Sequence, residues 1–211
     1  LESDTPDLED LRAIVTDILA DDQRAGQVIG KLRSLLQKGS IDPRPVDLQD
    51  VIKEVLSLLH PDAIARHVRL DSSVGPDLPM VRGDRVHLQQ VLLNLLVNAM
   101  DALDESGTRD HAIQVSTRLA DDSSVEVRVS DNGPGIAEED LGKLFDPFFT
   151  TKSAGMGMGL PVSKTIIEAH QGRLWAENGP EGGAWFWFTI PVEAGSPARS
   201  RRTRLQGGEG R

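Results

Sequence analysis

Residues 84–104 impose the tightest constraint on this 211-residue chain. They read as one long helix whose middle, Val91-Leu92-Leu93-Asn94-Leu95-Leu96-Val97-Asn98-Ala99-Met100, is apolar almost all round yet carries two asparagines. A helix apolar on every side has to be buried. Asn94 and Asn98 are four apart, so both amides leave the helix from one face. Val91, Leu92, Leu95, Leu96 and Met100 bury the rest. An amide is a poor choice at a buried site without a partner. Its oxygen is a hard ligand, suited to Mg2+ that already carries phosphates and water. Being neutral, it also leaves the ion's charge free to neutralise phosphate. For an isolated pair the alternative stays open: two amides satisfied by local backbone or water.

Composition removes several classes of function. Cysteine is absent, which excludes a disulfide framework, a thiolate zinc site and a cysteine nucleophile. Tyrosine is absent and aromatics make up 4%, which argues against base-stacking RNA modules. The net charge of −10 argues against a general phosphate-backbone binder, so no nucleic-acid partner is expected. Anything anionic must be held by a local device. No run approaches the roughly 18 apolar residues of a membrane span. The chain starts at Leu1 with no signal-peptide pattern, which suggests a fragment or processed product.

Residues 5–38 read as one helix, with Thr5 as cap, Pro6 at the first helical position and Asp7 near the positive end. Leu8, Leu11, Val15, Ile18, Ala25, Ile29, Leu32 and Leu36 follow steps of three and four, broken at Asp22. A second seam beside them widens the stripe to what a helical bundle needs. The plainer alternative is an amphipathic helix packed on its own domain. Gly39 ends this helix, and residues 39–45 form a linker kept extended by Pro43 and Pro45. Residues 46–193 form a second domain, with helices expected at 46–59, 84–104, 137–144 and 161–170. Strands are expected near 68–70, 112–119, 124–131, 173–177 and 184–192. This order suggests an α+β fold, a two-layer α/β sandwich. The tail, 194–211, has five arginines against Glu209, about +4, and is expected to be disordered.

Three further blocks carry chemistry. Asp131-Asn132-Gly133-Pro134-Gly135-Ile136 follows a strand directly. A carboxylate there can accept from the exocyclic amine of adenine, whereas guanine offers an oxygen at that edge. Alone, the motif is more often a plain turn. Next comes Leu144-Phe145-Asp146-Pro147-Phe148-Phe149-Thr150-Thr151-Lys152, then Gly155-Met156-Gly157-Met158-Gly159-Leu160. The glycines lead into a helix whose free N–H groups suit an anion, and Lys152 adds a point charge. No P-loop pattern is present. Last, Trp185-Phe186-Trp187-Phe188-Thr189-Ile190 alternates as a strand, with two tryptophans covering the sheet or forming a contact patch.

In this order the four blocks resemble the catalytic ATP-binding domain of sensor histidine kinases, in the superfamily shared with gyrase, Hsp90 and MutL. The resemblance covers residues 46–193 and implies a Bergerat-type ATP-binding fold. Residues 8–38, with Asp22-Gln-Arg-Ala-Gly-Gln-Val-Ile-Gly-Lys-Leu-Arg33, look like the second helix of the dimerisation and phosphotransfer bundle. Asn98-Ala-Met-Asp101-Ala102 and Phe148-Phe-Thr-Thr-Lys152 look closest to the nitrogen-regulation and oxygen-sensing subgroup. The resemblance implies Mg2+ on Asn98, with Asn94 assisting at metal or phosphates, and adenine on Asp131 in a pocket shaped by Gly133 and Gly135. It implies lid anchors at Phe145 and Phe148, and phosphates wrapped by Gly155, Gly157 and Gly159. Nucleotide contacts are also expected at Asp101, Ile136, Thr150, Thr151, Met156, Met158 and Leu160. Many relatives have Lys-Tyr where this chain has Asp101-Ala102, which makes Lys152 the candidate phosphate-side cation.

The reaction implied is γ-phosphoryl transfer from Mg·ATP to a histidine, then to a response-regulator aspartate. None of His60, His67, His87, His111 and His170 is followed by an acid, and none lies in the bundle helix. The phosphoacceptor helix is therefore expected outside this chain, in a full-length homodimer that is cytoplasmic or tethered to a membrane by an N-terminal region. ATPases of the superfamily place a glutamate base where this chain has Asn94, which cannot take a proton from water, so intrinsic hydrolysis is expected to be slow. An anti-sigma-type serine kinase and a non-enzymatic nucleotide-binding scaffold on the same fold are the alternatives.

Overall fold

A row of five strands carries the domain. In the computed structural model, which describes residues 43–75, 78–104, 106, 110–121, 123–152 and 155–193, the helix and strand order is β1 (Arg44–Val46), α1 (Leu48–Ala65), β2 (Val68–Ser73), β3 (Val81–Gly83), α2 (Arg85–Asp104), β4 (His111–Asp121), β5 (Ser124–Asp131), α3 (Glu138–Leu141), α4 (Gly159–Ala169), β6 (Leu174–Asn178) and β7 (Ala184–Pro191). The expectations for residues 5–38 and for the tail from 194 onward lie outside the described residues.

The main sheet runs β2-β4-β5-β7-β6. Only β2 and β4 are parallel; every other pair is antiparallel. Helices α1, α2 and α4 lie on one face, with α1 against β2, α2 against β4 and β5, and α4 against β6 and β7. This is the two-layer sandwich expected from the order of elements. Strand alternation decides what meets the helices. Val125, Val127 and Val129 of β5 and Phe186, Phe188 and Ile190 of β7 are buried beneath them. On α2, Leu88, Val91, Leu92, Leu95, Leu96, Ala99, Met100 and Leu103 are buried.

The open face of the sheet carries the tryptophans. The register sets Arg128 opposite Trp187 and Trp187 opposite Trp175. Trp175 and Trp187 stack with ring centres 6.1 Å apart, and the Arg128 guanidinium lies 4.6 Å from the Trp185 ring. These rings therefore cover the sheet with one another and with arginine stems, as aromatic and cationic side chains do on an exposed face.

Several boundaries differ from the expected ones: the helix expected at 137–144 spans only Glu138–Leu141, the one expected from 161 begins at Gly159, and the strand expected at 68–70 runs to Ser73. Helix α1 begins at Leu48 rather than at residue 46, because the Asp47 carboxylate accepts from the Gln49 N–H at 2.9 Å and caps it. Val46 instead belongs to β1, which pairs antiparallel with β3; Pro45, expected in the linker, lies in the same strand. Proline fixes φ near the extended range, so the residues that stiffen the segment also suit a strand. At its other end α1 continues past Leu59 and through Pro61 to Ala65. Ala63 keeps the buried stripe, and Arg66 closes the helix with its N–H on the Asp62 carbonyl and its side chain on the Asp62 carboxylate. Among the described residues, no helix is long and apolar enough to cross a membrane.

Helices α2 and α4 are locked together by a buried histidine. Asp84 caps α2 by accepting from the Val86 and His87 N–H groups at 2.9 and 3.2 Å. The Asp84 N–H in turn donates to His170 Nε2 at 2.9 Å, and His170 Nδ1 lies 2.7 Å from the Ile166 carbonyl. The proton is thus assigned to Nδ1. Burial pushes the imidazole below its usual range, reinforced by the neighbouring His87, against the pull of the Ile166 carbonyl and of Asp84. A folded-state value below the unfolded one means the unfolded chain takes up a proton that the fold refuses. Stability should therefore fall as pH drops below about 6.5. Denaturation curves at successive pH values should show a shallower fall for His170→Gln. An equally steep fall in the variant would contradict this role.

Candidate active site

Helix α2 presents Asn94 and Asn98 toward the first turn of α4. Asn94 Nδ2 donates to Ser163 Oγ at 3.2 Å and to the Gly159 carbonyl at 3.4 Å. This uses the nitrogen end of the amide and leaves the oxygen end. Gly159, the first residue of α4, lies between the two asparagines: a Cβ there would come within 3.9 Å of both side chains. Among the described residues, no side chain caps the N-terminus of α4. The start of α4, the positive end of its dipole, therefore lies beside the asparagines, an arrangement that suits an anion.

Asn98 Oδ1 already faces a positive charge. Lys152 Nζ donates to it at 3.4 Å and to Asp101 Oδ2 at 2.8 Å. Asp101 Oδ1 accepts from Arg66 Nη1 at 2.9 Å. Asp101, expected to touch nucleotide, is thus the counter-ion of two cations.

The second half of the site lies at the end of β5. Asp131 is buried, and burial pushes its carboxyl above the usual range, against the pull of two backbone N–H groups. These are Gly133 N–H at 2.9 Å and Ala184 N–H at 3.2 Å, and both bonds converge on Oδ1. Among the described residues, Oδ2 takes no hydrogen bond, so this oxygen suits an incoming N–H donor. Ile136 and Leu160, both expected to touch nucleotide, are partly buried against the core and are the candidates for an apolar wall.

Two residues outside the predicted site shape this half. Asn178 accepts from the Ile136 N–H and donates to the Ile136 carbonyl, each at 2.7 Å, and so clamps the turn around Gly135. Gly183 packs so closely that a side chain there would collide with the Asp131 backbone, at a φ of +77° that favours glycine. The Gly182-Gly183 pair before β7 was the available signal. Asn178 had none, because its partner is 42 residues away.

The loop between α3 and α4 is held unequally by its phenylalanines. Phe145 packs against the core, with Lys164 Nζ 5.6 Å from its ring centre. Phe148 does not: it is 75% exposed. Its backbone, at φ +69°, donates to the Gly157 carbonyl at 3.1 Å, and this left-handed turn swings the ring outward. Gly157 must be glycine, because a side chain would meet the backbone of Phe148 and Phe149. Thr150 Oγ1 accepts from the Lys152 N–H at 3.1 Å and aims the lysine inward, whereas Thr151, Gly155 and Met156 are exposed. Met158 is the N-cap residue of α4, and its carbonyl accepts from the Val162 N–H at 3.1 Å.

A five-stranded mixed sheet under three helices, with an amide pair on the central helix and a buried carboxylate after a sheet strand, defines a nucleotide-binding α/β sandwich. Residues 83–194 match the family model for histidine kinase-, DNA gyrase B- and HSP90-like ATPases, more than half of the chain, and the chain belongs to that family. It is 44% identical over 169 residues to the sensor protein FixL of Bradyrhizobium diazoefficiens, covering 80% of this chain and 33% of that protein. It is 35% identical over 192 residues to the sensor histidine kinase TmoS of Ectopseudomonas mendocina, covering 90% of this chain and 20% of that protein. The chain thus spans a third or less of these two relatives. Among solved structures, the catalytic domain of histidine kinase ThkA matches with a TM-score of 0.64 and 32% identity, over 72% of this chain and 98% of that one. The same kinase in complex with response regulator protein TrrA matches with a TM-score of 0.72 and 29% identity, over 90% of this chain and 53% of that one.

Proposed function

We propose that this chain is the ATP-binding catalytic part of a sensor histidine kinase. It transfers the γ-phosphoryl group of Mg·ATP to a histidine on a helix outside residues 46–193, for onward transfer to a response-regulator aspartate. The observation that carries this reading is the convergence at Asn98: its amide oxygen, the Lys152 ammonium and the uncapped start of α4 meet at one place, and Asp131 supplies a second binding point. The donor set fits the nucleotide and its ion. Asn98 would hold Mg2+, which supplies charge neutralisation at the phosphates. Asn94 is a neighbour that fixes α4 by its nitrogen and keeps its oxygen toward the same place. Lys152 and the first N–H groups of α4 would bind the phosphate oxygens, with the glycines from 155 to 159 allowing close approach. Asp131 Oδ2 would accept the adenine amine. Catalysis of this kind is positioning and charge neutralisation.

On this reading residues 5–38 are the second helix of a dimerising bundle, 39–45 connect it to the catalytic domain at 46–193, and 194–211 are a basic tail. The whole protein would be a homodimer acting in the cytoplasm, tethered to a membrane or free. The helix bearing the acceptor histidine and a receiver domain would be its partners.

Titration of the chain with Mg·ATP should give saturable binding with very slow hydrolysis, because Asn94 offers no general base. Adding a separate bundle helix that carries the acceptor histidine should yield acid-labile phosphate on that helix. No heat or fluorescence change with Mg·ATP would overturn the site. Rapid hydrolysis that survives Asn94→Ala but not Asn98→Ala would overturn the kinase in favour of an ATPase.

A further inference from the structure

Arg66 stands outside every motif in the sequence, yet it reaches the candidate site through one carboxylate. Its guanidinium meets Asp101 Oδ1 at 2.9 Å, Asp104 Oδ2 at 2.8 Å and Asp62 Oδ1 at 3.2 Å. The Asp101 side chain gives its other oxygen to Lys152 at 2.8 Å. Arg66, Asp101 and Lys152 have 29%, 32% and 27% of their side-chain surface exposed, so solvent screens the network only in part. Burial works against the Arg66 charge, but hydrogen bonds and charge from Asp101 and Asp62 outweigh it and hold the guanidinium above its usual range.

We infer that Arg66 and Asp101 are positioning residues that set how tightly Lys152 is parked on the Asn98 oxygen, and thereby how readily a divalent cation with its nucleotide takes that oxygen. This rests on the nucleotide-site reading above. The ammonium is 3.4 Å from Asn98 Oδ1. An ammonium and a divalent cation cannot both lie against one amide oxygen, since like charges that close repel strongly. Lys152 must therefore leave Asn98 as the ion arrives, and the strength of its bond to Asp101 opposes or permits that exchange. Arg66 draws on the same carboxylate through the opposite oxygen. Being forked and held by two further carboxylates, it is a fixed partial neutraliser of Asp101. Without Arg66, Asp101 would keep its full charge for Lys152 and hold the ammonium harder. Freed from Asp101, Lys152 becomes available to phosphate.

The test is a double-mutant cycle read by calorimetric binding of ADP, with and without Mg2+. Arg66→Gln should weaken Mg·ADP binding about fivefold and raise the Mg2+ concentration needed for half-maximal binding. Arg66→Lys should recover part of that loss. The Arg66→Gln effect should disappear in an Asp101→Asn background and again in a Lys152→Met background, because Arg66 acts only through them. Thermal melts of each variant separate this from unfolding. An Arg66→Gln effect of equal size in either background, or one equal with and without Mg2+, would show a general charge effect and overturn the inference. Failure of the parent chain to bind Mg·ADP would instead overturn the nucleotide-site reading itself. Parent binding that is unchanged in Arg66→Gln would overturn the inference alone.

Discussion

Asp131→Asn should remove measurable ATP binding, a loss of roughly a hundredfold or more, because a site built to pair one polar group rejects its mismatch steeply. Asp131 Oδ1 is already taken by the N–H groups of Gly133 and Ala184. An asparagine can keep both bonds with its single oxygen, and the NH2 then points where Oδ2 stood. A donor would face the adenine amine, itself a donor. The same substitution should leave the fold intact or make it more stable, since burial penalises the ionised carboxyl. Calorimetry with ATP and a thermal melt on one sample test both halves. Binding within threefold of the parent would remove Asp131 from the nucleotide site. The pH dependence has a definite sign. The folded value lies above the ordinary one, so the fold binds this proton more tightly than the unfolded chain does. Through this group, acidification favours the fold while it weakens nucleotide binding.

Asn98→Ala should abolish the gain in nucleotide affinity that Mg2+ confers and slow transfer to a supplied histidine helix by a factor of about 10² to 10³, the usual cost of losing one preorganised electrostatic contact. Binding of ADP without Mg2+ should persist, because Asp131 and the apolar wall of Ile136 and Leu160 are untouched. Removing the amide oxygen also removes the second acceptor of Lys152, which retains its 2.8 Å bond to Asp101. Titrating Mg2+ into a parent–ADP mixture and a variant–ADP mixture decides the matter. Superimposable Mg2+ curves would exclude Asn98 as the ligand. Loss of metal-free ADP binding in the variant would point to collapse of α2 rather than to a missing ligand.

These expectations come from different depths of the molecule. The apolar pattern of α2 and the strict alternation of β7 are written in neighbours two to four residues apart, and the structure places them as their periods require. Asp131 and its glycines were legible because turn chemistry is local. Val81–Gly83 and Arg44–Val46 were not, because each strand has three residues and its meaning lies in a partner far along the chain. Phe148 shows the limit in another way. Nothing in Phe-Asp-Pro-Phe says which ring turns inward, and a left-handed backbone turn decides it.

The sandwich, the amide pair on a buried helix, the carboxylate after a strand and the glycine-rich approach to a helix start can all be read along the chain. Each depends on the identity and spacing of nearby residues, and physical chemistry at that range is encoded along the chain. Packing alone brings Asn178 onto Ile136 across 42 residues to clamp the Asp131 turn, ties α4 to the cap of α2 through His170, and sets Lys152 and Arg66 on the shared Asp101. Those bonds join positions tens of residues apart. A single charged or amide side chain carries no record of which distant partner the packing of helix on sheet will bring within 3 Å.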